Sequence, residues 1–142
     1  FEPAFAEVRG FKRFCAQAHA SGLRIGVGTA GDRHNIAFAM RHLQMDPLPH
    51  AIVGGDEGLP GKPEPAIFLE AARRIGVDPT RAIAIEDSSN GLRAAAAAGM
   101  HVIALPNQTY PPKPDALALC AKIATSAEDV REYLVEHLPP PR

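Results

Sequence analysis

Five short apolar runs, at residues 23–29, 51–54, 82–85, 101–105 and 122–125, alternate with five stretches of helical periodicity, and this alternation restricts the fold more than any other feature. A strand that rejoins a sheet in parallel needs a crossover, and a helix within a repeat of roughly 30 residues supplies one. Helices are predicted at 8–20, Arg33–Leu43, Ala66–Ile75, 92–98 and 128–138. Val8, Phe11, Phe14, Cys15 and Ala18 mark the apolar face of the first, and Ile36, Met40 and Leu43 that of the second. Gly22, Gly76 and Gly99 close the first, third and fourth. The run Ala82-Ile83-Ala84-Ile85 has no polar member, which predicts a strand buried on both faces. The chain therefore reads as α/β, a Rossmann-like open parallel sheet with helices on both faces. Such sheets bind ligands beyond the carboxyl ends of their strands.

Composition narrows the partners. With 46% hydrophobic and 22% charged residues over 142 positions, the chain is one globular domain and not a disordered segment. Fifteen Lys and Arg against sixteen Asp and Glu give a net charge of −1 without a basic cluster, so no nucleic-acid partner is expected. No apolar run approaches the ~20 residues that span a bilayer, and no signal-peptide pattern is present, so a cytoplasmic protein without a membrane is expected. Cys15 and Cys120 have neither metal-ligand spacing nor the density of a disulfide framework. The chain opens on Phe1-Glu2-Pro3, as expected of a processed chain or of one that begins inside a longer coding sequence.

Three strand ends hold unusual chemistry. Glu86 and Asp87 stand side by side at the end of the 82–85 run, where two carboxylates repel unless donors or a cation neutralise them. Mg²⁺, an oxygen-seeking ion that binds one or two carboxylates together with waters and a phosphate, suits the pair; the plain alternative is that Asp87 caps the next helix with help from Ser88 or Ser89. Lys62 sits in Gly61-Lys62-Pro63-Glu64-Pro65, a loop stiffened by proline, and its ammonium suits a phosphate or a carboxylate counter-charge unless it is simply solvated. Thr29 and Ala30 follow the 23–29 strand at the start of the next helix, where a hydroxyl and free backbone N–H groups can hold an anionic oxygen or merely cap the helix. Arg33, His34 and Asn35, at the front of that helix, are the substrate-side candidates. Residues 26–31 also satisfy G-x-G-x-x-G, which admits a dinucleotide-dependent oxidoreductase with Asp56 or Glu57 on the ribose, although that reading leaves Lys62, Glu86 and Asp87 without a task.

Taken in order, these stretches resemble the haloacid dehalogenase superfamily and, within it, the β-phosphoglucomutase-like phosphatases and mutases. In that family a strand ends in a phosphate-binding Thr or Ser, matched by Thr29; a lysine in a G-K-P-x-P segment follows, matched by Lys62; and an E-D-S-x-x-G-x-x-A-A-x-x-A-G segment supplies magnesium ligands, matched by residues 86–99. The resemblance implies phosphoryl transfer on a small phosphorylated metabolite such as a sugar phosphate. An aspartate attacks the phosphate in line and forms an aspartyl-phosphate, while Mg²⁺ and the lysine offset charge. Thr29 and Lys62 are then the catalytic candidates, Thr29, Ala30 and Lys62 the phosphate site, and Glu86 and Asp87 the metal ligands.

The family nucleophile lies in a D-x-D-x-[TV] motif on the central strand. Here the aspartates are Asp32, Asp46, Asp56, Asp78, Asp87, Asp115 and Asp129, and none is followed by another two residues on. The helical cap between the nucleophile strand and the Thr strand has no counterpart either. The resemblance thus implies a return linker over 1–6, an incomplete core over 7–138 and a flexible tail over 139–142. It also implies a central strand supplied by a missing N-terminal segment or a partner chain, without which the open strand edges are exposed and catalysis is absent. The alternative in another class is a relic of the fold that binds phosphate or a partner and hydrolyses nothing.

Overall fold

The structure, a computed structural model, describes residues 11–29, 31–44 and 49–137. The predicted linker 1–6, tail 139–142, the start of the first helix and Ala30 lie outside these residues. In chain order the elements are α1 (Phe11–Ala20), β1 (Gly26–Gly28), α2 (Arg33–Leu43), β2 (Ala51–Val53), α3 (Ala66–Ile75), β3 (Ile83–Glu86), α4 (Ser89–Ala97), β4 (His101–Ala104), α5 (Pro114–Leu117), β5 (Lys122–Ile123) and α6 (Ala127–His137).

Side-chain caps set two helix starts, α2 where it is predicted and α4 earlier. The Asp32 carboxylate accepts from the Asn35 N–H at 2.9 Å and starts α2. Ser88 accepts from the Gly91 N–H at 3.1 Å, so α4 begins at Ser89, three residues ahead of the predicted start. The 3-10 turn Pro79–Arg81 and the four-residue α5 open on prolines and are too short to carry a hydrophobic period.

Among the described residues the strands form two separate parallel sheets, β1–β2 and β3–β4–β5. Gly26 pairs with Ala51 and Gly28 with Val53, while Ile83 pairs with His101 and Glu86 with Ala104. A parallel ladder uses the peptide groups of alternate residues. Thr29 donates to Val53 O and Ala51 to Ile25 O, so Gly26 and Gly28 turn their N–H and C=O groups away from β2. His101 donates to Ala82 O and Leu105 to Glu86 O, so Ile83 and Ile85 turn theirs away from β4. Among the described residues, β1 and β3 thus each keep a row of peptide groups that no strand pairs.

Packing is uneven. On one face of β3–β4–β5, Leu92, Ala94 and Ala95 of α4 meet Ala84, Val102, Ala104 and Phe68 of α3. On the other, Val130 and Leu134 of α6 and Phe14 of α1 meet Ile103, Ala124 and Ile83. The smaller sheet is held by Val53, Ile67 and Ala71. The expectation that the 82–85 strand is buried on both faces is corrected at Ile85. That side chain is 38% exposed, because the cover that reaches Ile83 stops short of it. No helix among the described residues is long and apolar enough to cross a membrane.

Candidate active site

The carboxyl ends of β1 and β3 are brought together by one side chain. Lys62, in the loop after β2, donates to Glu86 Oε1 at 2.6 Å and to Gly28 O at 3.4 Å, and its ammonium stands 5.0 Å from the centre of the Phe68 ring. The lysine and glutamate side chains are 17% and 12% exposed. In this partly dry setting the pair is bound more firmly than a surface ion pair, and removing one partner strands the other's charge. Glu86 is further held by the N–H of Asp87 at 3.0 Å and by the N–H and hydroxyl of Ser88, each at 3.4 Å. Its carboxylate occupies the space where a side chain at Gly91 would stand, since a Cβ there would lie 2.0 Å from Glu86 Oε2.

The residues singled out in sequence therefore take different parts. Thr29 is half-buried and its Oγ1 accepts from the Gly31 N–H at 3.1 Å, which leaves the hydroxyl proton to be donated outward. Lys62 reaches the carbonyl of the residue before Thr29, so hydroxyl and ammonium share one strand end. The Glu86 carboxylate is taken up by Lys62 and the β3–α4 turn. Asp87 is exposed, with the Asn107 side chain as its one carboxylate donor among the described residues. Arg33 and His34 are exposed and Asn35 half-buried; Arg33 is drawn sideways to Asp56, by its N–H at 3.3 Å and its guanidinium at 3.6 Å.

No group of three or more His, Cys, Asp or Glu among the described residues could enclose a metal ion. An exposed carboxylate beside one that is already engaged fits Mg²⁺, which binds through one or two carboxylates and completes its shell elsewhere.

The G-x-G-x-x-G pattern has a packing reason. A Cβ on Gly28 would stand 2.5 Å from Ile67 Cγ2, so glycine is what lets α3 lie against β1. Sequence reasoning missed Asn107. The strand-end rule that located the other three stretches, applied to the 101–105 strand, points to it.

The haloacid dehalogenase-like hydrolase family model matches residues 6–99, and the chain belongs to that family. It is 35% identical over 131 residues to the bifunctional riboflavin kinase/FMN phosphatase of Arabidopsis thaliana, a match covering 89% of this chain and 31% of that protein. Its fold is that of CbbY from Rhodobacter sphaeroides, solved in complex with phosphate, with a TM-score of 0.73 at 30% identity over 84% of this chain and 54% of that one. It also resembles β-phosphoglucomutase from Clostridium difficile, with a TM-score of 0.72 at 24% identity over 90% and 58% of the two chains, a likeness of fold. The chain spans less than two thirds of each of these relatives.

Proposed function

We propose that this chain is part of the core of a Mg²⁺-dependent phosphoryl-transfer enzyme, a phosphatase or phosphomutase acting on a small phosphorylated metabolite such as a sugar phosphate. The observation that carries the reading is Lys62, whose single ammonium meets the ends of both sheets where their open rows begin. A strand placed between β1 and β3 would bring its own carboxyl end beside Lys62, Thr29 and Asp87. We assign that place to a nucleophile strand with an aspartate, contributed by a segment outside this sequence or by a partner chain, with a cap domain beyond it. Neither nucleic acid nor membrane enters this reading, and the cytoplasm suits it.

In the reaction, the Thr29 hydroxyl, the Ala30 N–H and the Lys62 ammonium hold the non-bridging oxygens of the phosphate. Glu86 keeps the ammonium aimed. Asp87, seconded by Glu86, would hold Mg²⁺, which supplies charge compensation to the transferring group. Arg33, His34 and Asn35 stand where the rest of the substrate would lie. The nucleophilic aspartate would attack phosphorus as the P–O bond to the substrate's alcohol breaks, that alcohol leaving with a proton from the second aspartate of the D-x-D-x-[TV] segment. Water or an alcohol, giving up its proton to the same group, would then displace the aspartate from the phosphoryl group.

The test supplies a D-x-D-x-[TV] strand segment from a relative, in trans or fused ahead of Phe1, and assays an aryl phosphate with Mg²⁺. Turnover is expected only with strand and ion together, and Lys62→Ala is expected to lower it by about 10²–10³-fold, the loss typical of one oxyanion donor. Lys62→Arg, which keeps the ion pair, monitors folding. Turnover by the unassisted chain, or a Lys62→Ala rate within twofold of wild type, would overturn the assignment. A folded complex that turns nothing over would favour the non-catalytic relic.

A further inference from the structure

We propose that Asn107 is a positioning residue of this site, fixing the Asp87 carboxylate in the orientation in which it meets the divalent ion; the inference rests on the metal role given to Asp87 above. Asn107 follows β4, on the far side of β3 from the open row. It holds Asp87 twice. Its backbone N–H donates to Asp87 O at 3.2 Å, and its Nδ2 donates to Asp87 Oδ2 at 3.3 Å. The orientation of the amide is decided by its other end, where Oδ1 accepts the N–H groups of Thr109 and Tyr110, both at 2.9 Å. Two backbone donors can be met only by the oxygen, so the nitrogen must face Asp87.

The loop that Asn107 opens is tied down at its far end as well. The Lys113 N–H donates to the Ser89 hydroxyl at 2.8 Å, so residues 107–113 are fastened at both ends to the β3–α4 turn that carries Asp87. An exposed aspartate with no second carboxylate donor would otherwise sample its rotamers, and each wrong one misdirects the oxygen an ion needs. Partners one layer behind a metal ligand are typically worth 10–100-fold in affinity or activity.

Two substitutions separate the halves of this role. Asn107→Ser retains a hydroxyl oxygen for the Thr109 and Tyr110 amides but cannot reach Asp87, whereas Asn107→Ala loses both. The ¹⁵N-labelled chain is titrated with Mn²⁺, following broadening of the Asp87 and Ser88 amide signals, with hydrogen exchange at Tyr110 as the measure of the loop. The titration midpoint should rise roughly tenfold in both variants, while Tyr110 stays protected in Asn107→Ser. A wild-type midpoint in Asn107→Ser would overturn the inference, and so would a shift that appears only where Tyr110 protection is lost. Asp87→Asn locates the failure. If it shifts the midpoint and Asn107→Ser does not, the positioning role alone is wrong; if neither shifts it, the metal role of Asp87 falls and this inference falls with it.

Discussion

The outer edge of β2 and the inner edges of β1 and β3 are alike in kind, each a short row of peptide groups with no strand beside it among the described residues, but they are finished differently. At the outer edge Arg74 donates to Ile52 O at 3.0 Å, Glu57 accepts from the Gly54 N–H at 2.7 Å, and the two side chains pair with each other. Glu70 adds a second carboxylate to the same arginine at 3.1 Å. Charged side chains laid along an edge in this way block a further strand. At the inner edges, Lys62 meets Gly28 O at one end of the row, and Ile85 stands exposed beside it. The sealed edge suits the boundary of a sheet, and the open pair suits the place proposed above for a central strand.

Three measurements sharpen or break this contrast, beginning with the largest effect. In native-state hydrogen exchange of the chain alone, the Gly54 amide should exchange more slowly than those of Ile83 and Ile85. A central strand supplied as above should slow Ile83 and Ile85 by about a thousandfold or more, as they pass from open edge to sheet interior, and so reverse the order. Unchanged rates for Ile83 and Ile85 in a folded complex would place the strand elsewhere.

A mid-sized effect is expected at Gly28, where the smaller sheet depends on α3. Gly28→Ala should cost about 1–3 kcal/mol by overpacking against Ile67, which is 3% exposed. Ile67→Ala alone should cost about 2–5 kcal/mol. The double variant, in which the clash is gone, should lose clearly less than the two together in urea denaturation. Simple additivity would deny that close approach is why glycine stands there.

The smallest effect concerns pH. The hydrogen bond from Arg74 holds the Glu57 carboxyl below its ordinary range, and Arg73 followed by Arg74 holds that of Glu70 down to about 2. A carboxyl depressed in the folded state stabilises it above the ordinary carboxylate value and loses that contribution as pH falls through the folded one. The melting temperature should therefore decline between about pH 4.5 and about pH 2. Glu57→Gln should flatten the decline slightly, since the pair is exposed. An unaltered slope would mean that the seal on β2 owes nothing to ionisation.

How much of this was legible in the residues follows from the range of the interactions. Thr29, Lys62, Glu86 and Asp87 could be singled out because ligand-binding groups in a parallel sheet gather at strand ends, and strand ends can be read locally. The division of labour within Glu86-Asp87 could not be read, since it depends on Lys62, 24 residues away, reaching the first carboxylate and leaving the second exposed. The seal on β2 is likewise built by Arg74 and Glu57, 17 residues apart, from positions that read only as helix and loop charges. The strand starts at 23 and 82 were drawn too early because Leu23 and Ala82 are apolar, whereas the ladders begin at Gly26 and Ile83, where parallel partners exist.

Lys62 has one more consequence. A lysine on a mobile loop surrenders up to about 1.5–2 kcal/mol of rotational freedom when it closes on an anion. Held by Glu86, Gly28 O and the Phe68 ring, Lys62 has surrendered that freedom during folding. Should the β1–β3 end receive an anion as proposed, its binding would require little further ordering of this side chain, and discrimination among anions would rest on charge and shape rather than on the cost of stilling a lysine.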